Sequence, residues 1–212
     1  MIQSHPDAPD GIVKHLSSYE ASDFTPGCAV LCRNIAPLVG LAYALLQLDV
    51  PCLILGRDIG AQLIGLVKKL RALNLEDLDT KLDKWAERES SKLAESGRSP
   101  ERIYDQQECL KFFINGLDED SRSIDDLIAK LTLMFSDNRL DAARKVTLCS
   151  IHKSKGLEFD KVFILDRPKL MPSRYAKQAW QLEQEDNLGY VATTRARSEL
   201  YYINSNNWKD EQ

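Results

Sequence analysis

No glycine-rich phosphate loop of the form G-x-x-x-x-G-K-[ST] occurs anywhere along the 212 residues, so nothing in the chain wraps a triphosphate in the P-loop manner. No D-E-x-x pair closes an apolar strand, and the usual holder of a nucleotide's magnesium is therefore missing too. Histidine is scarce: His5, His15 and His152 are the three present, and none of the five cysteines forms a C-x-x-C pair with a second pair at zinc spacing. That argues against a structural zinc site and leaves no metal ligand set to assign. The cysteines (Cys28, Cys32, Cys52, Cys109, Cys149) are odd in number and mostly embedded in apolar runs, as suits buried reduced thiols in a cytoplasmic protein. Met1–Asp10 is polar and holds two prolines, which is not the pattern of a signal peptide. No apolar run approaches the roughly 20 residues of a membrane span. Positive charge is not in surplus either: with a net charge of −4, any contact with phosphate has to be local.

What is present is ordinary globular material, with 43% hydrophobic and 28% charged residues and enough chain for one core, or for a core and a smaller subdomain. Residues 1–26 carry no sustained periodicity beyond a short strand-like stretch at Gly11–Leu16. Cys28–Cys32 is continuously apolar, as in a strand buried on both faces. Ile35–Leu48 has Leu38, Leu41, Ala42, Leu45 and Leu46 at helical spacing, with Pro37 in the first turn where proline is tolerated. Cys52–Leu55 reads as a second buried strand, and the order strand, helix, strand predicts a βαβ unit in a mostly parallel sheet.

From Ile59 to about Ala142 the β-type runs almost vanish. Helical spacing predicts helices near Ile59–Leu73, Glu76–Ser96, Ser99–Asn115 and Ser121–Phe135, broken at Gly97–Pro100 and Asn115–Gly116. Their charges mix both signs, as solvated faces do. This stretch, 59–142, reads as an all-helical insertion in a sheet domain formed by 1–58 and 143–212, burying its apolar faces among its own helices or against that parent. The last third returns to α/β, with strands at Lys145–Ser150 and Val162–Leu165, a loop at Arg167–Tyr175, a helix from Trp180 to about Arg197, a closing strand Leu200–Ile203 and a polar tail.

Two stretches concentrate chemistry. Val146–Asp160, V-T-L-C-S-I-H-K-S-K-G-L-E-F-D, runs from one β-type segment through a charged turn into another. Gln184–Arg197 follows, in which Leu188, Val191 and Ala192 share one helical face and Arg195 projects near the C-terminal end. Such an arginine can neutralise charge on a transferring phosphoryl group. It can equally be a surface arginine favoured by the helix dipole.

I-H-K-S-K-G-L-E-F-D-K-V-F-I resembles motif V of UvrD/Rep-type superfamily 1 DNA helicases, and Q-E-D-N-L-G-Y-V-A-T-T-R-A-R-S-E-L-Y-Y resembles their motif VI. Ala29–Gly56 is similar to the part of the same family that precedes its helical insertion. The resemblance implies an α/β fold, a RecA-like parallel sheet of the P-loop-NTPase type flanked by helices, with an inserted helical subdomain: the second RecA-like domain (2A) with a 2B-type insertion. It further implies a motor in which ATP and Mg2+ are bound only together with an N-terminal RecA-like domain, and in which single-stranded or duplex DNA is the partner of 3′-5′ translocation. By motif match, Arg195 is the arginine finger, Glu158 contacts the ribose, Gly156 gives the backbone room, and Lys155 lies beside the nucleotide. His152, Lys153 and Ser154 lie where nucleotide and DNA sites communicate, and Arg33, directly after a strand, is a candidate DNA contact.

Some positions depart from the family pattern. The N-Y-R-type stretch that carries the motif IV arginine has no match before Gly27, and Asn187 stands where many members have arginine. Trp85 and Trp180 sit at helical spacing among apolar neighbours, which predicts core or interface packing in place of base stacking. Between Ile151 and Trp180 seven cationic side chains (Lys153, Lys155, Lys161, Arg167, Lys169, Arg174, Lys177) face three acids, a surplus that suits phosphate contact or strand-end solvation. The acidic net charge keeps open an alternative, a non-catalytic helicase-like module acting in protein binding or regulation.

Overall fold

The computed structural model describes residues 10–117, 123–136 and 144–209. The lead-in 1–9 with His5, the expected helix start at Ser121, the expected insertion end at Ala142 and the end of the tail lie outside the described residues. Among those described, seven strands form one sheet: β1 (Ile12–His15), β2 (Ala29–Cys32), β3 (Cys52–Leu55), β4 (Phe135–Ser136), β5 (Val146–Ser150), β6 (Phe159–Leu165) and β7 (Ala196–Ile203). Their spatial order is β1-β7-β6-β2-β5-β3-β4 and every pairing is parallel. The inner strands β2 and β5 are buried at each residue, the physical reason their sequences are unbroken apolar runs. β1, at one edge, is exposed along its length.

Among the described residues the α-helices are α1 (Ala36–Gln47), α2 (Arg57–Leu70), α3 (Leu75–Glu95), α4 (Glu101–Asn115), α5 (Ile124–Met134), α6 (Arg167–Leu170) and α7 (Ala179–Thr193). Alternation along β2 sends Val30 and Cys32 into one apolar layer and Ala29 and Leu31 into another. The first layer is roofed by α1 to α5, with Leu38, Leu63, Leu82, Phe113 and Leu131 packed in one continuous cluster with the strand side chains. The second is roofed by Leu188 and Ala192 of α7 and by Ile151 and Leu157 of the segment between β5 and β6. The helices of 59–142 thus bury their apolar faces both on one another and on the sheet. Gly60 permits the closest approach: a Cβ there would meet Phe135 Cβ at 2.7 Å, so only glycine lets α2 lie against β4.

Four expectations need correction. Phe135, expected to finish a helix, instead opens β4 and with Ser136 adds two strand residues beside Ile54 and Leu55 of β3. The loop expected at Arg167–Tyr175 begins with α6. α7 stops at Thr193 instead of continuing to Arg197, because Ala196 already pairs with Phe159 and the sheet ladder takes the chain from there. β6 begins at Phe159, three residues before the apolar run that marks it in sequence.

α1 depends on a side chain from α4. Its own N-cap position is Ile35, which has no oxygen to offer, and the Asp105 carboxylate of α4 instead accepts from Ile35 N at 2.9 Å and Ala36 N at 2.9 Å. Desolvation raises this carboxyl above its ordinary value, opposed by the two backbone N–H donors. The folded chain therefore takes up a proton at higher pH than the unfolded one; the cost of burying this charge is in force above the raised value and vanishes as pH falls below the ordinary one. Asp105→Ala is expected to lower stability by about 1–2 kcal/mol in chemical denaturation at neutral pH, and Asp105→Asn, which keeps an acceptor, by less.

The five cysteines are free thiols, and burial pushes Cys28, Cys32 and Cys149 up to about 12. They behave as small apolar core residues.

Candidate functional site

Because all strands are parallel, their carboxyl ends share one edge of the sheet and their amino ends the other. The segment 151–158 leaves the carboxyl end of β5 and enters the amino end of β6, so it crosses the full height of the sheet. His152 and Lys153 stay at the carboxyl edge, while Glu158 arrives at the amino edge beside Arg195 and Arg197 at the start of β7. A tight turn holds the segment: Lys153 N donates to Ser150 O at 2.9 Å, Ser154 N to Ser150 O at 3.1 Å and Leu157 N to Ser154 O at 2.9 Å. Gly156 sits in the left-handed region at φ 80°, with nothing within 4 Å of where a Cβ would stand. Glycine is required there by the backbone, and the space beside it is open.

At the amino edge, Arg195 occupies the joint between α7 and β7 and is anchored to the chain on three sides. Nε donates to Val191 O at 3.0 Å, Nη1 to Leu157 O at 2.9 Å and Nη2 to Thr194 Oγ1 at 3.1 Å. A guanidinium has five N–H groups, so two remain for another acceptor while the plane of the fork is fixed. The Leu157 contact also ties the 151–158 crossover to the end of α7. Glu158 is exposed and pairs with Arg197 Nε at 3.2 Å; Arg197 Nη1 lies 3.8 Å from Asp160. Phe159 pairs with Ala196 but Lys161 with Glu199, so Arg197 and Ser198 together face Asp160, a β-bulge that re-aims this edge of β7.

At the carboxyl edge, a cleft of about 600 Å³ opens between β2, β5, α2 and α4. His152 and Lys153 line it and are exposed. Partial desolvation lowers the His152 pKa, the charges of Arg33 and Lys155 act in the same direction, and Glu185 opposes them. Lys153 pairs with Asp58 at 2.7 Å. Arg33 is bound to two carboxylates: Nε and Nη2 grip Glu185, the shortest contact being 2.8 Å, and Nη2 also reaches Glu101 at 3.0 Å. Ser154 is fully buried and its hydroxyl donates to Ile151 O at 2.8 Å; it holds the turn and presents nothing to a ligand.

The structure thus brings Glu158 and Arg195 to one edge and His152, Lys153 and Arg33 to the other, with Lys155 and Gly156 on the crossover between them. Sequence reading missed Asp58, Glu101 and Glu185, the acids that pair with Lys153 and Arg33. All three belong to helices whose mixed charges look like ordinary solvated faces. The cationic surplus is also partly spent within the fold: Lys161 donates to Asp23 O, Arg167 to the Tyr202 hydroxyl and Arg174 to the Tyr175 hydroxyl. Trp85 is buried in the core, whereas Trp180 is 54% exposed with its indole N–H donated to Gln178.

Among the described residues no cluster of acids, histidines and cysteines could hold a metal ion, and no helix is long and apolar enough to cross a membrane. The family model of the UvrD-like helicase C-terminal domain matches residues 67–207. Similar curated proteins include the ATP-dependent DNA helicase PcrA of Bacillus subtilis, 30% identical over 134 residues that make up 58% of this chain and 18% of PcrA. A probable DNA helicase II homolog of Rickettsia conorii is 28% identical over 168 residues, 69% of this chain and 26% of that protein. The ATP-dependent DNA helicase Rep of Buchnera aphidicola subsp. Schizaphis graminum is 29% identical over 153 residues, 64% of this chain and 23% of Rep. The matched stretches span between 18% and 26% of these relatives' length.

Proposed function

The chain belongs to the UvrD-like helicase C-terminal domain family, and from that premise we propose that it is the half of an ATP-driven DNA motor that completes a nucleotide site held by another domain. The observation that carries this reading is Arg195: a guanidinium fixed by two backbone carbonyls and a hydroxyl, with two N–H groups unspent, on the same edge as the exposed Glu158. Fixed donors aimed at developing charge need no reorganisation during reaction, which is what phosphoryl transfer requires. Arg195 is the finger to the terminal phosphate, Glu158 accepts from a ribose hydroxyl, and Gly156 and Lys155 leave room and positive charge along the crossover. ATP with Mg2+ supplies the phosphoryl group and its charge neutralisation. The residues here fit the sugar and outer phosphate, while the magnesium ligands belong to the P-loop domain.

His152 and Lys153 serve the DNA strand at the opposite edge. The 151–158 crossover, clamped by Arg195 through Leu157 O, joins the two edges and carries the signal between them. The stretch 59–142 acts as an insertion in the two-part RecA-like domain.

The test is turnover with and without the complementary half. The chain alone is expected not to hydrolyse ATP; joined to a P-loop RecA-like domain of a UvrD-type helicase, it is expected to support hydrolysis stimulated by single-stranded DNA. Normal turnover by the chain alone, or DNA binding that ignores salt, refutes the reading, because phosphate contacts lose affinity steeply as salt rises.

A pH effect follows for His152. With its pKa lowered, the imidazole is neutral at pH 7 and gains charge only as pH falls through the depressed value. Single-stranded DNA affinity is expected to rise in that acid range, and His152→Asn to remove the rise, as read by fluorescence anisotropy at fixed salt.

A further inference from the structure

We propose that the cavity between α1, α4 and the carboxyl end of β6 is a docking site for an amphipathic helix of a partner protein, whose arginine enters it and pairs with Asp166. The inference does not rest on the nucleotide reading.

The cavity has a volume of about 640 Å³. Its wall holds a charge that cannot swing away: Asp166 is 1% exposed and stands in the left-handed region at φ 53°, where β6 passes into α6. One carboxylate oxygen accepts from Ser205 N at 2.8 Å, and the other accepts no hydrogen bond among the described residues. A buried carboxylate left short of donors costs free energy until one reaches it. Tyr19, on the same wall, has its pKa raised by burial and then by the charge of Asp166.

Four charged side chains border the cavity: Asp166, Glu108, Lys111 and Lys169. Lys111 is spent on Asp83 at 2.7 Å and Asp79 at 3.6 Å. Lys169 is exposed on α6, where its flexible stem turns to water, whereas Asp166 is fixed by burial and Glu108 makes no ion pair among the described residues. The charge left to a ligand is negative. Tyr19 and Trp208 add aromatic rings to the wall, which favours a guanidinium, since its plane stacks on such faces while its N–H groups reach a carboxylate.

The length of the trough selects the carrier of that cation. Ala36, Gly40 and Ala44 border it at four-residue steps of α1, about 12 Å from first to last, and Phe112 of α4 adds an apolar ring that is 47% exposed. A free organic cation fills one end, and two turns of helix fill the whole. Small side chains on α1 let a second helix axis come within the usual distance of about 8–10 Å. The crossover from β1 to β2 points the same way: parallel strands are commonly joined through a helix laid on the sheet, and here only the 3₁₀ turn Ala21–Asp23 interrupts it, two residues after Tyr19. A partner supplies the helix that this crossover lacks.

The experiment titrates the full-length protein with a synthetic amphipathic peptide of about 14 residues, long enough for an isolated helix, with alanine and leucine on one face and a single arginine in the middle of it. Matched peptides carry norleucine or glutamate in place of the arginine, and butylguanidinium is the free cation. Expected is an affinity about 10- to 100-fold higher for the arginine peptide than for the norleucine peptide, and lowest for the glutamate peptide, as read by fluorescence anisotropy. Asp166→Asn keeps an acceptor for Ser205 N and tolerates a positive φ. It is expected to erase the preference for arginine and to leave the affinity of the norleucine peptide as it was, which also shows that the fold remains. Ala44→Met, which narrows the trough, is expected to weaken both peptides. Equal binding of the arginine and norleucine peptides, an arginine preference that survives Asp166→Asn, or no peptide binding overturns the proposal. So does butylguanidinium competing as strongly as the arginine peptide, because the occupant is then a free cation.

Discussion

Arg195→Ala is expected to reduce the maximal ATPase rate of the whole protein by about 10³-fold, the scale on which an arginine finger acts. The size follows from where the guanidinium is held. Its three anchoring bonds go to Val191 O, Leu157 O and Thr194 Oγ1, so its remaining donors are aimed before the reaction begins. Binding of ATP is expected to change little, since the lost interaction strengthens as charge develops and is weak in the ground state. Glu158→Ala should show the opposite split, a raised KM with kcat largely kept, because a ribose contact is made equally before and during transfer. Steady-state kinetics of both variants decide the matter: matching, near-normal parameters would remove both residues from the nucleotide site. Arg195→Ala also frees the Leu157 carbonyl, so circular dichroism and a thermal melt should accompany the kinetics to show that the fold remains.

Phe113→Ala is expected to cost about 3–5 kcal/mol, the largest stability loss foreseen here. Phe113 is fully buried on α4, with ring centroids 5.7 Å from Tyr43 of α1 and 6.0 Å from Phe135 of β4. One side chain therefore joins α4, α1 and the sheet. Its removal is expected to lower the midpoint of a single transition in urea, with circular dichroism and tryptophan fluorescence moving together, since one apolar cluster runs through all three regions. Two separated transitions, with only the earlier one shifted, would show that 59–142 unfolds on its own.

Much of this architecture is legible in the sequence for a definite reason. Ala29–Cys32 and Val146–Ser150 are buried on both faces, and burial on both faces writes an uninterrupted apolar run. Helix α1 announces itself through leucine spacing and Pro37, and Arg195 and Glu158 through two dense motifs. Boundaries set by distant pairing are not written locally. Thr193 ends α7 because Phe159 claims Ala196, and nothing within Thr193–Arg197 signals that. β4 exists because Ile54 and Leu55 have an open side, which no two-residue sequence reveals. The partners of the cleft's cations were hidden for a related reason. Glu101 and Glu185 look like any acid on a helix surface until folding brings them to Arg33 across 68 and 152 residues of chain.

The crossover between β5 and β6 has a further consequence, one of contour length. Eight residues, 151–158, span at most about 28 Å when fully extended. The five residues of β5 set a height of roughly 17 Å to be crossed. The slack, about 11 Å by this reckoning, is taken up in the hydrogen-bonded turn around Ser154. Glu158 cannot travel far from His152 without first unwinding that turn, and Ser154, sealed inside with its hydroxyl on Ile151 O, resists the unwinding. The two edges of the sheet are thus joined by a tether with a reserve of length, and the stability of one buried serine turn sets the force at which that reserve is released.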